Sequence, residues 1–158
     1  MTRTQYNVAH QPLHIFDASK YRIGIVVAQF NSGITKQLLD SAEGVATQFK
    51  IPAKNITVRH VAGSVEIPVI LQAMAKTKRY DALLALGAII RGETAHFDYV
   101  AKMASEGVLR VMLDHGIPIG FGILACFSQE QAQQRVHGGG EALAAALHCA
   151  KIIRENEK

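Results

Sequence analysis

Charge is scarce in this sequence. Asp, Glu, Lys and Arg make up 19% of its 158 residues, against about 25% in a typical soluble domain. Apolar residues reach 49%, which excludes a disordered chain. Ample apolar content with little charge predicts that another subunit covers part of the surface. Long hydrophobic runs are also missing. The longest nearly uninterrupted one, residues 117–127, has 11 residues and two glycines. A membrane-spanning helix needs about 20, so a soluble protein with no membrane partner is expected. Cysteine is limited to Cys126 and Cys149, without the spacing of a zinc site or a redox pair. This argues against a disulfide scaffold and for a reducing, cytoplasmic compartment. Residues 1–10 lack the apolar stretch of a secretory signal, which agrees with that location.

The length suits one domain. Seventeen Lys and Arg against 13 Asp and Glu give a charge of +4. The basic residues are scattered, apart from Lys76, Lys78 and Arg79, which read as a solvated helix end. Nucleic acid is therefore not an expected partner, whereas a phosphorylated metabolite suits the balance.

Residues 1–18 carry little periodicity and read as an N-terminal arm, with a possible short strand at 13–16. Residues 19–158 then read as one α/β domain. Strands are expected at 22–30, 55–61, 82–90 and 119–124, each rich in apolar residues. Helices are expected between and after them. The first carries Ile34, Leu38, Ala42, Val45 and Phe49 at helical spacing, with Asn31 or Ser32 as its cap. The second starts near Pro68 and turns Val69, Ile70, Ala73 and Met74 inward. The third spans 97–113, with Val100, Ala104, Val108, Val111 and Met112 facing the core. A short helix at 129–135 and a final one at 141–154 are separated by Gly138, Gly139 and Gly140. Strand–helix alternation implies a parallel sheet with helices on both faces.

Open parallel sheets bind ligands beyond the carboxyl ends of their strands. That points to four segments: 30–31, 63–66, 91–96 and 126–129. The third concentrates Arg91, Gly92, Glu93, Thr94 and His96 before a helix, where free N–H groups can hold an anion. His96 can carry protons near neutral pH. The same stretch equally reads as a polar turn capped by Thr94. Glu66 can accept hydrogen bonds from sugar hydroxyls or sit at a helix N-terminus. Phe30 can stack on a flat heterocycle or belong to the core. Arg135 can grip a phosphate or complement a helix C-terminus. No metal-ligand spacing, Walker loop, dinucleotide fingerprint or nucleophile elbow occurs.

Residues 87–100 (GAIIRGETAHFDYV) closely resemble the signature of lumazine synthases. Residues 61–68 (VAGSVEIP), 25–31 (IVVAQFN) and 121–135 (FGILACFSQEQAQQR) are similar to three further segments of that family, in order. The likeness covers residues 22 to about 154. It implies a four-stranded flavodoxin-like sheet and homo-oligomers built from pentamers. It also implies condensation of 5-amino-6-(D-ribitylamino)uracil with 3,4-dihydroxy-2-butanone 4-phosphate, without metal or organic cofactor. Phe30 would then stack on the pyrimidine, and Ser64 and Val65 would contact it through backbone groups. Glu66 would bind ribityl hydroxyls. Ala88, Ile89 and Ile90 would line the ring pocket. Gly92, Glu93 and Thr94 would hold the phosphate, and His96 would move protons. Phe121 and Arg135 would reach in from a neighbouring subunit, and the N-terminal arm would add to a neighbour's sheet.

Two features depart from the family pattern. Only Val136, His137, Gly138 and Gly139 separate Arg135 from Gly140, and no lysine stands there; Val65 replaces an aromatic residue common in relatives. Two rival readings use the same fold. One is a flavin- or lumazine-binding protein without catalysis. The other is a phosphate-binding regulatory domain, which has no need for Phe30, Glu66 and His96 at separate strand ends.

Overall fold

The four apolar stretches form one sheet because each is uninterrupted enough to be buried on both faces. In the computed structural model, which describes residues 13–158, the strands are β1 (Ile23–Ala28), β2 (Ile56–Val61), β3 (Ala82–Ile90) and β4 (Ile119–Cys126). Their order is β2-β1-β3-β4, and every pairing is parallel. Helices α1 (Ser32–Gln48), α2 (Ile67–Lys76), α3 (His96–His115), α4 (Gln129–Gln133) and α5 (Gly138–Asn156) connect and follow them. The result is the single α/β domain with a four-stranded parallel sheet that the alternation predicts.

Two apolar layers flank the sheet. One joins Ile23, Ile25, Leu84 and Leu86 to Ile34 and Leu38 of α1 and to Leu143 and Leu147 of α5. The other joins Val26, Leu83 and Ala85 to Ile67 and Leu71 of α2 and to Ala104 and Val108 of α3. β1 and β3 lie centrally and are buried almost throughout, whereas β2 at the sheet edge is half-exposed.

Three local readings change. The inward face of α2 is Ile67, Leu71, Met74 and Ala75, with Ile70 packed against it; of the expected residues Ile70 and Met74 face the core, whereas Val69 and Ala73 are exposed. Pro68 occupies the second helical position, so the helix starts a residue earlier and Val69 rotates to the surface. The glycine patch is not a break: Gly138 to Gly140 open α5. A Cβ on Gly139 would land inside contact distance of the Leu38 carbonyl oxygen of α1, so glycine there permits close packing of two helices. Finally, residues 13–16 form no strand within this chain. They are tied down instead. Phe16 packs edge-on against Tyr21, Phe49 and His148, and His148 Nε2–H donates to the His14 carbonyl at 2.7 Å. The rest of the expected arm, residues 1–12, lies outside the described residues.

Candidate active site

The sheet order reverses between β1 and β3, and that switch point is where a ligand crevice is expected. A cleft of about 570 Å³ opens there. The turn after β1 contributes Phe30 and Asn31, and the turn after β2 contributes Gly63, Ser64, Val65 and Glu66. The end of β3 and its loop contribute Ala88, Ile89, Ile90, Gly92 and Thr94. α3 adds His96, Phe97 and Val100.

Local geometry sets each of these groups. The β1–β2 pairing continues beyond the strands, with Gln29 N–H donating to the Val61 carbonyl (2.8 Å) and Phe30 N–H to that of Ala62 (2.9 Å). Phe30 is 73% exposed; it stands at the cleft rather than in the core. Asn31 was expected to cap α1, yet its side chain makes no cap bond. It adopts a left-handed conformation (φ 59°, ψ 46°), which Asn tolerates better than most residues. Its Nδ2 donates to the Ala88 carbonyl at 2.7 Å. The bond ties the exit of β1 to β3 across the switch point, and no spacing in the sequence signals it.

Ser64 is buried against the bare backbone of Gly87 in β3, where a Cβ would fall 2.5 Å from its Oγ. This seats the turn that carries Glu66 onto the central strand. The Glu66 carboxylate is exposed toward the cleft. Residues 91–96 are exposed throughout, and Arg91 N–H donates to the Cys126 carbonyl at 2.9 Å. Thr94 Oγ1 accepts the His96 N–H at 3.3 Å. Thr94 therefore serves the start of α3, while Ala95 rather than Thr94 occupies the cap position.

Of the residues singled out from sequence, Phe30, Ser64, Val65, Glu66, Ala88, Ile89, Ile90, Gly92, Thr94 and His96 line this one cleft. Glu93, Phe121 and Arg135 do not line it within the same chain. Phe121 is exposed on edge strand β4. Arg135 is exposed past the end of α4, with its Nη1 donating to the Gln131 carbonyl at 2.8 Å. Asn31, Phe97 and Val100 also line the cleft. Val100 follows His96 by one helical turn, a signal available in the sequence but read there only as core periodicity; Phe97 was read only as the start of the helix.

Both cysteines are unpaired, Cys126 buried and Cys149 exposed. Burial pushes the Cys126 thiol up, while the Arg135 guanidinium pulls the other way. Only thiolate reacts appreciably. A neutral-pH thiol reagent is therefore expected to modify one cysteine per native chain, Cys149, and both after denaturation; mass spectrometry of the labelled peptides checks this.

Fold and cleft together define a parallel α/β protein with a cleft at the strand carboxyl ends, lined by an aromatic ring, a carboxylate and an imidazole. A sequence model of the 6,7-dimethyl-8-ribityllumazine synthase family matches residues 20–154. The chain is 39% identical over 154 residues to the 6,7-dimethyl-8-ribityllumazine synthase of Kosmotoga olearia, covering 92% of this chain and 99% of that protein. It is 37% identical over 144 residues to the protein of that name from Desulfovibrio desulfuricans, covering 88% and 92%. The chain belongs to the 6,7-dimethyl-8-ribityllumazine synthase family, whose members are transferases of riboflavin biosynthesis.

Proposed function

We propose that this cleft condenses 5-amino-6-(D-ribitylamino)uracil with 3,4-dihydroxy-2-butanone 4-phosphate, releasing phosphate and water. The amine of the first substrate attacks the ketone of the second, so the protein needs no nucleophile of its own. It must orient two molecules, move protons and stabilise a departing anion. The pyrimidine stacks on Phe30 and meets the backbone of Ser64 and Val65 and the apolar wall of Ala88, Ile89 and Ile90. Glu66 accepts hydrogen bonds from ribityl hydroxyls. N–H groups of Gly92, Glu93 and Thr94 face the phosphate. His96 removes and returns protons as the imine forms and phosphate is eliminated. No cofactor enters this scheme. The observation that carries the reading is the meeting of Phe30, Glu66, Thr94 and His96, from three separate segments, in one cleft.

Phe121 and Arg135 complete the site from a neighbouring subunit in this proposal. Their exposure and their position away from their own cleft support it. So do the apolar side chains left on the outer faces of α2 and α3, among them Val69, Tyr99, Met103 and Leu113. A pentamer-based assembly in the cytoplasm is proposed on the same grounds, together with the low charge and the two unpaired cysteines. No described helix is long and apolar enough to cross a membrane.

Mixing the two substrates with the purified protein and following lumazine absorbance tests the reaction. Product formation is the expected result; tight binding of lumazine without turnover favours the non-catalytic reading. Arg135→Ala is expected to raise KM for the phosphate ester about 10- to 100-fold, the range of a lost charged hydrogen bond. A steady-state titration of that substrate checks it, and an unchanged KM removes Arg135 from the phosphate site.

A further inference from the structure

One stack of side chains at the lip of the cleft has no part in the scheme above. Arg91 opens the loop whose N–H groups face the phosphate, and its own N–H extends the β3–β4 pairing to the Cys126 carbonyl. Its guanidinium carbon lies 5.6 Å from the centre of the Phe127 ring. That ring lies 6.2 Å from the ring of Phe97, tilted by 42°. Phe97 directly follows His96 in the first turn of α3. The stack therefore brackets the anion loop, with a cation at its start, one ring on the exit of β4 and another just past its end.

Two observations give the stack direction. Phe127 is anchored, because its N–H donates to Gln131 Oε1 of α4 at 2.8 Å. Arg91 is exposed and joins none of the ion pairs formed among the described residues. Its charge is held by the face of an aromatic ring rather than neutralised by a carboxylate. A guanidinium over a ring keeps its full charge while losing conformational freedom.

We propose that Arg91, held by Phe127, is a positioning residue for the phosphate-bearing substrate. It fixes the start of the 91–95 loop so that the N–H groups face the cleft, and it keeps uncompensated positive charge beside them. The proposal rests on the reaction assigned above. At exposed sites a cation–π contact amounts to about a two- to five-fold change in an equilibrium.

The experiment compares Phe127→Leu, Phe127→Trp, Arg91→Met and the Arg91→Met/Phe127→Leu double variant in the full-length protein. Two quantities are read: KM and kcat with the phosphate ester varied, and inorganic phosphate affinity by equilibrium dialysis. Phe127→Leu is expected to weaken both affinities about two- to five-fold with kcat little changed, and Phe127→Trp to preserve them. Arg91→Met loses more, and the double variant is no worse than Arg91→Met alone. Unchanged affinity in Phe127→Leu, or losses that multiply in the double variant, overturns the proposal. Should Phe127→Leu fail to fold, Arg91→Lys replaces it, keeping the charge and losing the flat face, with the same expected loss. Coupling in phosphate affinity without wild-type turnover would sustain the stack while the assigned reaction fell. Turnover without coupling would remove the stack alone.

Discussion

Replacing His96 with alanine lowers kcat about 10²–10⁴-fold, the usual contribution of a positioned general acid–base group. The residue heads α3 and faces the cleft formed by Phe30, Glu66 and the 92–94 loop. In the proposed scheme stacking, hydroxyl contacts and the N–H cradle all lie on other residues, so substrate binding is expected to survive and KM for each substrate to change little. A residual rate remains because amine and ketone are still held together, and proximity alone accounts for a large part of such catalysis. Steady-state kinetics of the purified variant with both substrates checks the prediction. A variant with wild-type kcat would contradict the assigned role.

The largest expected loss of stability comes from Gly139→Val. The added Cβ meets the backbone carbonyl of Leu38, which has no rotamer to escape into, so α1 and α5 must move apart over a fully buried seam that includes Leu38 and Leu143. Overpacking of this kind costs about 1–3 kcal/mol, occasionally more. A β-branched residue against backbone belongs at the top of that range. At about 2–4 °C per kcal/mol for a chain of this size, a fall in Tm of about 6–12 °C is expected. Gly44→Ala is the companion variant. Its Cβ would meet nothing within 4 Å, and removing a glycine from inside α1 is worth about 0.5–1 kcal/mol, so Tm should rise slightly. Thermal unfolding of both variants reads the difference. Equal shifts would mean that the α1–α5 seam tolerates separation.

The same glycines show where sequence reasoning reaches its limit. A run of three glycines has the composition of a loop, and only the position of a second helix reveals that it serves close packing. The strands were legible for the opposite reason. Residues 23–28 and 82–90 are apolar without interruption, so local pattern and burial agree. Strand carboxyl ends then located the cleft, since that rule depends on topology alone. Phe30 was ambiguous because a terminal aromatic fits a core as well as a shelf; its 73% exposure excludes the core. Asn31 holds the cap position expected of it, but its side chain is used elsewhere, because caps and left-handed turns favour the same small polar residues. Its bond to Ala88, 57 positions away, depends on β1 lying beside β3. On α2, Ile70 and Met74 were legible as core, but Val69 and Ala73 were not separable from Ile67 and Leu71, because the segment is apolar on nearly every side. Arg135 and Phe121 illustrate another limit: their proposed partners belong to a second copy, which no intrachain periodicity encodes.

The most direct measurement is subunit complementation. His96→Ala and Arg135→Ala proteins, each weakly active alone, are dissociated, mixed and reassembled, and lumazine formation is followed at low butanone phosphate. A cleft served by one chain's imidazole and its neighbour's guanidinium predicts a mixture more active than either parent, since some interfaces regain both groups. Activity no greater than the average of the parents would contradict the shared site and place the two residues on the same chain's chemistry.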